Sequence, residues 1–438
     1  MKSITKLIIV LILMPFAAVS GQETTGYHAD SLSLNTILNE VIHNYPTIKK
    51  AQSDIESSEA KIGLAKTAYL PDVNITASYT RNGPISSMSI PDFGTFQLFP
   101  PNNYSTMLNV SESIYDFGKT DKNIAFEKQS KQLVESSVEQ LKQKLSAMMI
   151  DNYYSLVFLQ EAIKIKDEEL LTLKEHALYV QKKEESGSAT NYEILTTKVQ
   201  ISTNENQKED LINALEIQLS QLNSFLGKPQ DSKLKVKNDI LTSQILASND
   251  SLFAIAFEHR IEMKTERQKR GLAYTRLDMV KSQNNPSLNL FGSGGIKNGY
   301  LPDFNVLTPN YSVGIGLKVP LFDATRSKYS KIMAKADIQG NVQETELVRR
   351  NIVTEVVASK VNAESALKKV TLSELQLDQA QQAYHLAETN FKAGAITNLE
   401  LMYSSTAVTN SKLALLKSRI EYSASVLKLR LALGEHIY

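Results

Sequence analysis

Six histidines, His28, His43, His176, His259, His385 and His436, are the obvious residues to test for chemistry, and no two of them fall at metal-ligand spacing. Cysteine is absent, which removes thiol catalysis, Cys-based zinc sites and disulfides together. The glycine cluster Gly292-Ser293-Gly294-Gly295 lacks the lysine of a phosphate-binding loop and sits in a strand-like stretch. The acidic runs Asp167-Glu168-Glu169 and Glu184-Glu185 read most simply as solvated helix faces. No His, Ser and carboxylate constellation converges, so no catalytic residue, metal site, cofactor or enzyme activity is expected. A net charge of +1 gives no reason to expect nucleic acid as a partner.

The residues with meaningful spacing occur in pairs. Asp116 in SIYDFGK matches Asp323 in PLFDATR, Gly187 in ESGSATNYEIL matches Gly394 in KAGAITNLELM, and Gly227 in FLGK matches Gly434 in LALGE. Each pair is 207 positions apart (323 − 116, 394 − 187, 434 − 227). A constant offset over such widely separated motifs implies an internal duplication. The repeats span 33–227 and 251–434, with 228–250 a polar linker or small side element between them.

Two kinds of element must position these motifs. Four stretches alternate with period two, over roughly 71–81, 103–114, 286–296 and 310–322. In the first, Val73, Ile75, Ala77 and Tyr79 interleave with Asn74, Thr76 and Ser78. In the last, Tyr311, Val313, Ile315 and Leu317 interleave with Ser312, Gly314 and Gly316. The second stretch has one exception, Glu112 on its apolar face. Each run has about the length of a tilted outer-membrane strand, and Tyr79, Tyr104 and Tyr311 lie near run ends, where an aromatic girdle would sit. Ordinary amphipathic hairpins on a soluble domain would alternate in the same way.

The rest is helical. Residues 118–184 contain neither proline nor glycine beyond the initial Gly118, and the matching helix covers 324–391. At 1.5 Å per residue each would reach about 100 Å, the scale of a periplasm rather than of a domain core. Val134, Val138, Leu141, Leu145 and Met148 follow the spacing of a left-handed coiled-coil seam. Shorter helices follow over 190–226 and 397–433, and others precede each strand pair over 33–69 and 250–283, with Pro71 and Pro286 at the switch to strand.

The hairpin tips share one pattern. Gly187 and Gly394 end a helix in the left-handed conformation. Thr190 and Thr397 then cap the next helix, and Glu193 and Glu400 complete capping boxes. A tight turn between helices needs nothing more. A functional reading makes these tips the inner end of a tunnel, contacting a partner and shaping its aperture. Asp116 and Asp323 mark strand-to-helix junctions, where a carboxylate can cap the following helix.

The N-terminus reads as an export signal over residues 1–20. Lys2 and Lys6 precede the apolar stretch Leu7 to Val19, which is short for a span, and small residues at Ala18 and Ser20 permit cleavage. If the protein enters a membrane it must do so through strands. Four strands cannot close a barrel, and an open edge is not tolerated in lipid. Two chains would give eight strands and a filled interior, whereas three give twelve and a wet lumen.

The element order, the repeated G-x-x-T-x-x-E-x-L tips, the LFD junction and the helix-ending L-G resemble the TolC-like outer-membrane efflux protein family over about residues 33–434. The first junction departs from the family form, reading SIYDFGK. The resemblance implies an α+β membrane protein: a homotrimer with a twelve-stranded β-barrel in outer-membrane lipid, four strands from each chain, and a coiled-coil-like helical tunnel in the periplasm. It also implies a passive conduit docking to a periplasmic adaptor (membrane fusion protein) and an inner-membrane pump of RND, ABC or MFS type. By position, the adaptor contact falls on Gly187, Thr190, Gly394 and Thr397, within the tips that Glu193 and Glu400 complete. Aperture-gating residues stay unassigned, because one tip offers Glu184 and Glu185 and the other Lys392. The competing expectation is a soluble periplasmic coiled-coil scaffold or adaptor.

Overall fold

A computed structural model of the chain describes residues 31–92, 94–240 and 249–438. The export segment expected over 1–20 lies outside them. The helix expected over 33–69 is two helices, α1 (Leu34–Asn44) and α2 (Pro46–Lys66), followed by a single 3₁₀ turn, Thr67–Tyr69. Pro46 explains the break: its ring forces Tyr45 into extended backbone (ψ 131°) and then starts α2 at its first position. The chain continues through strand β1 (Asp72–Arg81), a small hairpin of β2 (Ser87–Ile90) and β3 (Gly94–Gln97), and β4 (Asn102–Tyr115). The β2–β3 hairpin was not expected; it lies in the loop that Asn82-Gly83-Pro84 and Pro100-Pro101-Asn102 bound.

Two long helices follow, α3 (Lys119–Glu185) and α4 (Asn191–Leu226). The helix expected over 250–283 also divides, into α5 (Asn249–His259) and α6 (Ile261–Ser282). Strands β5 (Ser287–Lys297) and β6 (Thr308–Lys318) lead to α7 (Arg326–Lys392) and α8 (Asn398–Ala432). The fourth strand stops four residues short of the expected 322. Pro320 has no N–H to offer a ladder, and Leu321 and Phe322 beyond it are almost fully exposed. α3 and α7 are both 67 residues long.

The helices pack as two antiparallel hairpins, α3 with α4 and α7 with α8. α3 also lies against α2, α6 and α8. The expected seam on α3 holds at Val138 and Leu145, both buried, but not at Met148, which is half exposed beside a buried Met149. A 3.6-residue helix drifts off a strict 3.5-residue repeat, so the buried face rotates to Met149, Ile150, Tyr153 and Leu156. There α3 meets a new set of partners: Ile37, Leu38 and Val41 of α1, Leu222 and Leu226 of α4, and Ile420 and Leu427 of α8.

Residues 228–240 of the joining segment are a side element packed on this core. Leu32 and Val236 form a parallel bridge, with Leu32 N donating to Lys235 O at 2.9 Å and Lys237 N to Leu32 O at 2.9 Å. The Tyr153 hydroxyl donates to Lys237 O at 2.6 Å. On the other side, Leu252 and Ala256 of α5 pack on Ile352 and Val356 of α7 and Leu429 of α8. α1 and α5 thus each buttress the middle of one hairpin.

β1, β4, β5 and β6 form one antiparallel sheet in that order. Asn74 pairs with Asn109, Asn109 with Ser293, and Ser293 with Ser312. Side chains alternate across a strand, so this register places those residues and Thr76 on one face. Val73, Ile75, Leu108, Val110, Leu290, Val313 and Ile315 take the other. Glu112 shares the apolar face, as the alternation indicated. Among the described residues, the outer edges of β1 and β6 have no strand partner.

Candidate functional site

At the first tip, α3 closes with Gly187 at φ 74°, where a side chain would be strained. Gly187 N donates to Glu184 O at 2.8 Å and Ser188 N to Lys183 O at 2.7 Å, which satisfies the last carbonyls of the helix. The second tip repeats this geometry. Gly394 has φ 75°, and Ala395 N donates to Asn390 O at 2.9 Å.

The caps differ between the two tips. Thr397 makes the full box: Glu400 N donates to its Oγ1 at 3.3 Å, and Thr397 N donates to the Glu400 carboxylate at 2.7 Å. The Thr397 backbone N–H and then its hydroxyl hold the Glu400 carboxyl below the ordinary glutamate value. At Thr190 only half of the expected box forms, with Glu193 N donating to Oγ1 at 3.4 Å. Thr397→Ala is therefore expected to destabilise the first turn of its helix by about 1 kcal/mol, and Thr190→Ala by about half as much. Amide exchange at Glu400 and Glu193 measures both, and equal losses would contradict the asymmetry.

The structure also brings the two tips together through residues to which the sequence assigned no role. Asn398, the first residue of α8, is buried against the other hairpin. Its amide nitrogen donates to Glu193 O at 3.3 Å and to Thr197 Oγ1 at 3.1 Å. Its oxygen is therefore the acceptor for His176 Nε2, 2.6 Å away. The His176 ring lies 5.5 Å from that of Phe391, and the Lys183 ammonium sits 4.8 Å over Phe391. The only sequence hint was position: Asn398 follows the cap Thr397, as Asn191 follows Thr190.

Both junction aspartates accept hydrogen bonds from backbone N–H groups in the first turn of the helix that follows. Asp116 accepts from Gly118 N at 3.0 Å and Thr120 N at 2.7 Å, and Asp323 accepts from Ser327 N at 2.9 Å. Burial pushes the Asp116 carboxyl upward, but its hydrogen bonds from Thr120 and Gly118 prevail and hold it below the ordinary value. Asp323 is lowered too, chiefly by the Asn284 amide, which donates to it at 2.7 Å. After each aspartate two residues have positive φ: Phe117 and Gly118, then Ala324 and Thr325. This double left-handed turn redirects the chain from sheet to helix. Asn285 ties the junctions together by donating to Phe117 O at 2.8 Å.

The polar side chains described at the tips and junctions act as helix caps and cross-ties. No group of three or more metal-ligating side chains occurs among the described residues. No described helix is long and apolar enough to cross a membrane. What the geometry offers is a sheet with one apolar and one polar face, turned by two rigid junctions into long helices whose tips meet.

Comparison with known proteins gives the same outline. Residues 37–228 and 252–435 match the family described as "Outer membrane efflux protein". The chain is 20% identical to the outer membrane protein TolC of Vibrio cholerae over 428 residues, covering 95% of this chain and 94% of that protein. It is 19% identical to the nodulation protein T of Rhizobium leguminosarum bv. trifolii, over 88% and 82% of the two chains. The crystal structure of the outer membrane protein VceC from Vibrio cholerae superposes with a TM-score of 0.74 at 18% identity, covering 92% of this chain and 97% of that one. The CmeC outer membrane channel of Campylobacter jejuni also superposes at 0.74, with 16% identity and coverage of 92% and 85%. At these identities the structural likeness speaks for the fold.

Proposed function

Because this chain belongs to the outer membrane efflux protein family, we propose that it is one third of a passive exit duct, with three copies closing a twelve-stranded barrel. The chain is an outer-membrane efflux protein with its helices on the periplasmic side. The observation that carries the trimer is the sheet. Its apolar face is solvent-exposed on the outer strands, where Ile75 is 71% exposed, Ile315 65% and Tyr311 86%, and stays partly exposed on the inner ones, as at Leu108 and Ile296. Its edges at β1 and β6 are unpaired. In lipid that face is favourable and those edges are not, so β6 of one copy pairs with β1 of the next. Three copies close a barrel whose polar faces line a wet lumen.

Helices about 100 Å long then carry the lumen inward. In this reading the chain is internally duplicated, and the tips around Gly187, Thr190, Glu193, Gly394, Thr397 and Glu400 dock a periplasmic adaptor that serves an inner-membrane pump. A soluble periplasmic scaffold has no use for an exposed apolar sheet face of this size.

Membrane fractionation tests the assembly. The mature chain is expected to stay in the outer-membrane pellet after carbonate and to run near three times its monomer mass unless boiled. A soluble monomer or dimer would sink the barrel. For docking, Gly187→Asp with Gly394→Asp is expected to lower export in cells at least tenfold while the unboiled band persists, because aspartate tolerates the left-handed conformation. Undiminished export would move the docking surface elsewhere.

A further inference from the structure

The polar face of the sheet is built from short side chains. Asn109 Nδ2 donates to Asn74 Oδ1 at 3.1 Å and to Thr76 Oγ1 at 3.0 Å, and the hydroxyls of Ser293 and Ser312 are 2.9 Å apart. Only two large apolar side chains break this pattern, Met107 and Phe291, and each lies over a glycine of the neighbouring strand. Met107 faces Gly295 and is half-buried. Phe291 faces Gly314: a Cβ added there would lie 2.6 Å from Phe291 Cζ, and one added at Gly316 would lie 3.5 Å from Cε1. One face of the ring thus rests on a shelf that only glycines leave free. Phe291 as a whole remains 47% exposed.

The register adds a charge in the same row. Asp72 of β1 pairs with Ser111 of β4, and Ser111 pairs with Phe291. Asp72 and Phe291 therefore lie on the same face two strands apart, about 10 Å at ordinary strand spacing. Among the described residues, the cation of that face nearest the row is Lys318, four residues along β6 from Gly314. A carboxylate in the same row as an exposed aromatic ring, two strands away, suits a cation that carries apolar or aromatic groups, since the ring face attracts positive charge and stacks on other rings.

We propose that Phe291, with Asp72, is a cargo-contact site of the duct for organic cations bearing aromatic groups. It rests on the reading above, in which the polar face lines the lumen and three copies set three such rings around it. Covering bare glycines is the other task a cross-strand aromatic performs, and a cover alone predicts no effect on cargo once the protein is assembled.

Single-channel current through the purified full-length protein in planar bilayers tests this, with tetraphenylphosphonium and tetraethylammonium as probes. Half-block of the parent is expected at about tenfold lower tetraphenylphosphonium than tetraethylammonium. Phe291→Ser should erase most of that difference, Phe291→Tyr should keep it, and Asp72→Asn should weaken both probes together. If Phe291→Ser does not assemble, Phe291→Leu keeps an apolar cover over the glycines and is expected to lose the preference for the ring-bearing probe. A preference unchanged in the assembled Ser or Leu variant overturns the proposal. A parent that carries no current overturns the duct reading itself, so the two failures are told apart.

Discussion

Gly295→Ala is expected to abolish the unboiled oligomer band in the outer membrane, while Gly292→Ala, three residues earlier on the same strand, leaves it near the parental level. A Cβ on Gly295 would lie 2.0 Å from Thr106 O and 2.8 Å from Met107 Cα, both backbone atoms of the adjacent strand. No rotamer change can relieve that, so β4 and β5 would have to separate or slip. A slip of one residue exchanges every side chain between the faces, which would put Asn74-type residues into lipid and Val110-type residues into the lumen. Forcing atoms into a filled space costs about 1–3 kcal/mol even where side chains can yield, and here none can. At Gly292 the nearest atom to the added carbon is Ser312 O at 3.8 Å, an ordinary contact. Quantifying both variants by carbonate-washed membrane content gives the comparison. A Gly295→Ala protein at parental levels would refute the close approach of β4 and β5.

The sheet and the junctions were legible because their signals are local. Alternation of period two gave the strands within a few residues, and the aspartates at 116 and 323 were recognisable as caps from their place between strand and helix. The break between α5 and α6 was not legible. No proline or glycine marks it, and Arg260 simply takes extended backbone with ψ 132°. Its cause is tertiary: the Arg260 side chain is buried and bridges Glu262 at 2.7 Å and Glu355 of α7 at 2.6 Å. The partner 95 positions away cannot be read from the sequence. The link between the tips was hidden for the same reason, since His176 and Asn398 are 222 positions apart. A pattern of glycine, threonine and glutamate recognised at each tip separately says nothing of the cross-tie that joins them. The 207-residue offset located equivalent positions, but equivalent positions do not have equivalent surroundings.

The two helix-ending glycines make that last point measurable. Gly227 has φ 68° and Gly434 φ 88°, so alanine is strained at both by about 1 kcal/mol. At Gly227 an added Cβ meets nothing within 4 Å. At Gly434 it would lie 2.7 Å from the His259 carbonyl carbon and 2.8 Å from Arg260 N. The end of α8 is pressed against the α5–α6 break, where Arg260 also reaches Ala432 O at 3.4 Å. Moving Gly434 outward would disturb a buried guanidinium, and a buried charge that loses its partners costs about 3–5 kcal/mol. Gly434→Ala is thus expected to destabilise by about 3 kcal/mol or more and Gly227→Ala by about 1 kcal/mol. Urea titration of the helical signal in detergent, read as the difference between the variants, measures the gap. If the two lose the same stability, the α8 terminus does not bear on the break, and Arg260 alone would have to hold α5 and α6 at their angle.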